Sequence, residues 1–104
     1  MPGSLQRDDD GRFIVQYTEM RYLVLKLLLD AGGHGSVAEL ARRLDALPVC
    51  KGRRSSSQIV SNSMRHPVKL GWVVRRGRGK YELVRLSRGT EHRIRTRVAP
   101  IFER

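Results

Sequence analysis

Apolar side chains recur along the chain with two different periods. Met20, Leu23, Val24, Leu27 and Leu28 fall at i, i+3, i+4, i+7 and i+8, a continuous stripe that predicts a helix opening near Thr18. Leu25 and Leu29 widen the stripe until little polar surface remains, which suits a helix at the centre of a small domain. Gly32-Gly33 ends it. A second helix starts at Ser36-Val37-Ala38-Glu39, the spacing of a capping box in which hydroxyl and carboxylate satisfy each other's backbone amides. Its apolar face is Val37, Leu40, Ala41, Leu44 and Leu47, and Pro48 closes it. Ser55, Ser56 and Ser57 each offer a cap to a third helix. That helix runs from about Gln58 to Arg65, because Pro67 disfavours helical geometry at His66.

Alternation with period two marks other segments. Phe13, Val15 and Tyr17 alternate with Arg12, Ile14 and Gln16, a weak strand signal. Trp72 to Arg76, then Gly77-Arg78-Gly79, then Lys80 to Val84 read as a β-hairpin with a glycine-bearing turn. Trp72 and Val74 are expected to share a face with Tyr81 and Leu83. Ser87 opens a last helix, about 87–99, with Ile94, Val98, Ile101 and Phe102 on one side and Pro100 interrupting its end. Residues 1–11, polar and carrying a triple Asp, are expected as a disordered tail. The remainder, 12–104, makes one domain. The expected fold class is α+β: a three-helix core, a basic hairpin at about 72–85 and an extra terminal helix.

Charge changes the picture by its distribution. Residues 1–50 have a net charge of −1 and residues 51–104 of +12, giving the chain +11 overall. So lopsided a field attracts a polyanion and is steeply sensitive to salt. Nucleic acid is the expected partner. The longest apolar stretch, Tyr22 to Leu29, is broken by Lys26 and too short to span a bilayer, and the N-terminus lacks the apolar run of a signal peptide. Cys50 is the only cysteine, so no intrachain disulfide forms. A cytoplasmic protein without membrane attachment is expected.

Candidate chemistry is sparse. His34, His66 and His92 lie in different elements, so no metal site is expected. Asp8, Asp9 and Asp10 have no partner base, and Gly77-Arg78-Gly79 lacks the following helix of a phosphate-cradling loop. Neither an enzyme nor a cofactor or small-molecule ligand is expected. Cys50 stands beside Lys51, Arg53 and Arg54, cations that favour a thiolate, though a passive thiol is the simpler reading.

The order of helix, capped helix, loop, polar helix and basic hairpin resembles the winged helix-turn-helix family of DNA-binding domains. Ser36-Val37-Ala38-Glu39-Leu40-Ala41-Arg42-Arg43-Leu44 is similar to the positioning helix of bacterial and archaeal regulators. Val60-Ser61-Asn62-Ser63-Met64-Arg65 looks like the middle of a recognition helix, and Leu70-Gly71-Trp72-Val73-Val74-Arg75-Arg76 like the exit into the first wing strand. Leu86-Ser87-Arg88-Gly89-Thr90 is loosely similar to the step into the C-terminal helix of MarR-type and PadR-type regulators. The sequence departs from the family in two places. Leu47 to Ser57 is longer than the standard tight turn, and Pro67 is expected to shorten or bend the third helix.

The resemblance implies a small prokaryotic transcriptional regulator that reads double-stranded DNA. Gln58 and Asn62 are suited to bidentate contact with adenine and Arg65 with guanine, while Ser57 and Ser61 suit bases or phosphate. Lys51, Arg53 and Arg54 before the helix, and Arg75, Arg76, Arg78 and Lys80 on the wing, would neutralise phosphates. Phe13, Val15, Ile94, Val98 and Phe102 offer apolar surface for a C₂ homodimer. Two other readings use the same residues. A sequence-independent architectural DNA- or RNA-binding protein would keep the salt dependence without discrimination, although six aromatics leave little for base stacking. A winged-helix module docking an acidic protein would bind no duplex tightly at physiological salt.

Overall fold

The computed structural model describes residues 6–103 and shows an α+β chain folded around one central helix. That helix, α1 (Tyr17–Asp30), buries Met20, Leu23, Val24, Leu25, Leu27 and Leu28. It begins one residue before Thr18: Gln16 is the N-cap, and no side chain caps the first turn. Burial of an apolar stripe, more than a local cap, holds such a helix. At its end the amides of Gly32 and Gly33 donate back to the carbonyls of Leu29 and Leu28, both at 3.0 Å.

The chain then forms β3 (His34–Ser36) and α2 (Val37–Asp45). The strand has no counterpart among the sequence expectations. The Ser36 Oγ accepts from the Glu39 amide at 3.1 Å, one half of the expected capping box. Leu40, Ala41 and Leu44 are buried. Leu47 falls beyond the end of α2 and is half-buried.

The third helix is longer than the sequence suggested. It spans Ser56–Lys69 as α3, with Ser55 as the N-cap and Pro67 inside its last turn. Proline disfavours the helical conformation at His66 and removes one backbone donor. A proline so near the C-terminal end can displace only the last turn, and here the Pro67 side chain is buried. Its carbonyl accepts from the Trp72 amide at 2.9 Å while the Gly71 amide donates to Val68 O at 3.1 Å. This double closure requires a left-handed residue after the helix, and Gly71 has φ +79°.

β4 (Val73–Arg75) and β5 (Lys80–Leu83) make the expected hairpin, and β3 pairs with the free edge of β5 to give the order β3-β5-β4. The turn uses Gly77 and Gly79, both at positive φ. The register sets Val73 opposite Leu83 and Arg75 opposite Tyr81. Hence Val73, and not Val74, shares the inner face with Tyr81 and Leu83. Because strand side chains alternate, a one-residue change in where the strand starts exchanges its faces. The Gly71 closure sets that start.

The described part of the expected disordered tail forms a hairpin. β1 (Gln6–Arg7) pairs with β2 (Phe13–Ile14), and the Asp8 carboxylate accepts from the amides of Asp10 and Arg12 in the turn. Residues 1–5 of that tail lie outside the described residues. At the other end, Ser87 caps α4 (Arg88–Arg93), a wide π-helical turn follows over Ile94–Val98, and α5 (Ala99–Phe102) completes the run. Pro100 has no amide to bond the carbonyl four residues back, and it sits in the first turn of α5 where none is needed. The widened turn keeps Ile94, Val98 and Ile101 buried together. Ile94, Val98, Phe13 and Val15, expected on a homodimer surface, are buried in the chain's own core, and Phe102 packs against it. Among the described residues no helix is long and apolar enough to cross a membrane.

Candidate nucleic-acid interface

The two faces of α3 are chemically distinct. Ile59, Val60, Met64 and Pro67 are buried, with Ser56 and Ser63 between them. Ser57, Gln58, Ser61 and Arg65 are exposed and Asn62 is half-buried. Serine and asparagine are indifferent helix formers, so local propensity does not account for this outer face. Helix formation here relies on the Ser55 cap, whose Oγ accepts from the Gln58 amide at 3.1 Å, and on the buried stripe.

Lys69 belongs to the same face and was missed. Gln58, Asn62, Arg65 and Lys69 are separated by four, three and four residues, the spacing of one helical stripe. Lys69 is exposed in the last turn of α3. Its signal was present in that spacing but disappears once the helix is stopped at Arg65.

The hairpin brings further cations beside the helix. A cleft of about 220 Å³ lies between them, lined by Ser61, Met64, Arg65, Val68, Arg75 and Tyr81. Arg65 of the helix and Arg75 of the hairpin therefore border one concavity. The turn is held against α2: the Val37 amide, at the start of that helix, donates to Gly79 O at 2.7 Å. Arg75, Arg78 and Lys80 are exposed and have no side-chain ion pair or hydrogen bond among the described residues. Arg76 differs, since its Nη2 reaches Glu82 Oε1 at 3.0 Å; both side chains are largely exposed, so the pair is screened.

The connector between α2 and α3 splits the three cations expected there. Lys51 Nζ donates to the Asp45 carboxylate and, at 2.9 Å, to Ser56 Oγ, which itself donates to Asp45. The hydrogen bonds from Lys51 and then Ser56 hold the Asp45 carboxyl below its ordinary range. Arg53 and Arg54 are exposed without such partners among the described residues. Lys51 thus has an internal role that a search for phosphate contacts does not anticipate. Cys50 is half-buried, and its amide donates to Phe13 O at 2.9 Å.

Among the described residues no group of three or more His, Cys, Asp or Glu is placed to hold a metal ion. The arrangement can offer short hydrogen-bonding side chains on an exposed helix face, followed by an arginine-bearing hairpin and preceded by Arg53 and Arg54. No protein-family model, curated protein or solved structure matches the chain.

Proposed function

We propose that the chain is a winged helix-turn-helix protein that binds double-stranded DNA in a sequence-dependent manner. In this reading α3 enters the major groove, and the β4–β5 hairpin is the wing, lying on the backbone or in the minor groove. The observation that carries it is the outer face of α3, where Gln58, Ser61, Asn62, Arg65 and Lys69 form one stripe beside the unpartnered cations of the hairpin. Amide and guanidinium side chains match the major-groove edges of adenine and guanine. Unpartnered arginines suit phosphates, which set register and carry no sequence information. A role as a small prokaryotic transcriptional regulator follows from the sequence resemblance and is part of the same proposal.

Selection from a random duplex pool at about 150 mM salt tests it, because at that ionic strength backbone attraction alone is weakened. Enrichment of a motif is the expected result. Four of the five apolar residues expected on a homodimer surface, Phe13, Val15, Ile94 and Val98, are buried within one chain, so an undivided motif is expected, and a palindrome would require a dimer built from another surface. Retention without enrichment would favour an architectural protein. No retention would overturn the DNA reading.

A further inference from the structure

The last helical run, from Arg88 to Phe102, carries a second concentration of positive charge. Between residues 85 and 97 stand five arginines and a single acidic residue, Glu91. Arg85, Arg88, Arg93 and Arg95 are exposed and Arg97 is half-buried, and none of the five forms an ion pair among the described residues. The apolar side of the run belongs to the core, where Ile94, Val98 and Ile101 are buried.

Helix formation does not call for this composition. Glutamate and lysine form helices about as readily as arginine, and a solvated face of mixed sign gains from attraction between residues one turn apart. Here Arg93 and Arg97, four apart, repel each other. Arg88 and Arg95, seven apart, repeat on nearly the same side of the run. The run also has its own place in the fold. It packs along α1, where Lys26 Nζ lies 5.3 Å from the Phe102 ring centroid, and not along α2 or α3. Because α3 packs its inner face on α1 and α2, its outer stripe and the arginines of the run belong to different surfaces. Arg93 is the arginine of the run that borders α3, in a small pocket with His66 and Pro67.

We propose that this arginine surface holds a second DNA duplex, so that one chain bridges two duplexes. The inference rests on the proposed binding of a first duplex by α3. From Arg88 to Arg97 the run covers about 14 Å, a length over which a duplex presents about eight phosphates, enough to meet every arginine. Guanidinium groups pair with phosphate oxygens through charge-assisted hydrogen bonds. With Ile94, Val98 and Ile101 buried, the run has no apolar face to enter a lipid bilayer. Residues 85–98 contain no Phe, Tyr or Trp on which the bases of a single strand would stack. Phosphate contacts carry no sequence information, so the second duplex is of any sequence.

Beads carrying a duplex recovered by the selection, loaded with the full chain, should capture a labelled duplex of unrelated sequence at about 100 mM salt. Joint replacement Arg88→Ala and Arg95→Ala, at exposed positions, should reduce that capture roughly tenfold or more and lower its log–log salt slope by about 2. Affinity for the first duplex should stay within about twofold, since the two surfaces are separate. The pair Arg88→Lys and Arg95→Lys keeps the charge and should retain most of the capture, with circular dichroism checking the fold of each variant. Beads that retain the chain but capture no labelled duplex would overturn the proposal and leave the α3 reading standing. Capture that survives the alanine pair would place the second duplex elsewhere, and equal losses on both duplexes would place the two arginines on the first. Either result also overturns it. Failure of the beads to retain the chain would instead overturn the α3 reading, and this inference with it.

Discussion

Two basic segments flank α3, and they differ in how their cations are used. The connector before the helix is tied down on both sides. Phe13 N donates to Pro48 O at 2.7 Å, Cys50 N donates to Phe13 O, Val49 is buried, and Lys51 is held by Asp45 and Ser56. The Arg7 guanidinium covers the Phe13 ring at 4.3 Å, adding a cation–π contact to the anchor. The hairpin after the helix is tied to α2 through the Gly79 carbonyl of its turn, while the side chains of Arg75, Arg78 and Lys80 meet solvent. Each segment leaves cations free, Arg53 and Arg54 before the helix and Arg75, Arg78 and Lys80 after it. They differ in the one that each pairs: Lys51 links Asp45 of α2 to Ser56 of α3, whereas the Arg76–Glu82 pair stays within the hairpin. A cation with an internal carboxylate orders the fold, whereas a cation without one remains available to an external anion.

The largest effect that would sharpen this contrast lies in the anchor. Phe13→Ala should destabilise the chain by about 3–5 kcal/mol in chemical denaturation and accelerate exchange of the Cys50 amide proton. Arg78→Ala at the tip should change stability by less than about 0.5 kcal/mol. Comparable losses at the two positions would erase the distinction.

Next come the residues between the two segments. Under the proposed function, Asn62→Ala and Arg65→Ala should each weaken binding to a selected duplex by about 1–3 kcal/mol and relax its sequence preference. Equal losses on selected and scrambled duplexes in parallel titrations would reduce both to general contacts. The flanks should then separate by salt dependence. Joint replacement of Arg75 and Arg78 by alanine should lower the slope of log affinity against log salt by about 2, and Lys51→Ala should leave it nearly unchanged. A full unit lost with Lys51 would mean that its internal pairing yields to phosphate.

The smallest effect is acid-dependent. Hydrogen bonds from Lys51 and Ser56 lower the folded-state pKa of Asp45, so its carboxylate contributes stability above the unfolded value of about 3.9. That contribution is lost as pH falls through the lowered folded value. The melting temperature of wild type should therefore exceed that of Asp45→Asn at neutral pH, with the gap narrowing below about pH 4. Half of the Asp45 side chain is exposed, so added salt should also narrow the gap.

Several features were legible because they depend on neighbours in sequence. The stripe of α1, the Ser36 cap, the Ile59, Val60 and Met64 face of α3 and the glycine turn of the hairpin all follow from local spacing. The outer face of α3 was readable through Arg65 and stopped there, because the rule for residues before proline is a bias that a buried Pro67 and the Gly71 closure override. Other features required the far parts of the chain. His34–Ser36 has no alternation and becomes a strand because the edge of β5, more than forty residues later, supplies its hydrogen bonds. The pairing of Lys51 depends on α2 and α3 placing Asp45 and Ser56 on either side of it.

Sequence alone determined the helical periods, the Ser36 and Ser87 caps, and the concentration of positive charge after residue 50, since each arises from side chains within a few turns of one another. Tertiary structure decided which strand face is inside, which cations are neutralised within the chain, and that Phe13, Val15, Ile94 and Val98 close the core of a single copy. Burial and ion pairing depend on which distant surfaces meet, and a linear pattern records only that an apolar or charged surface exists.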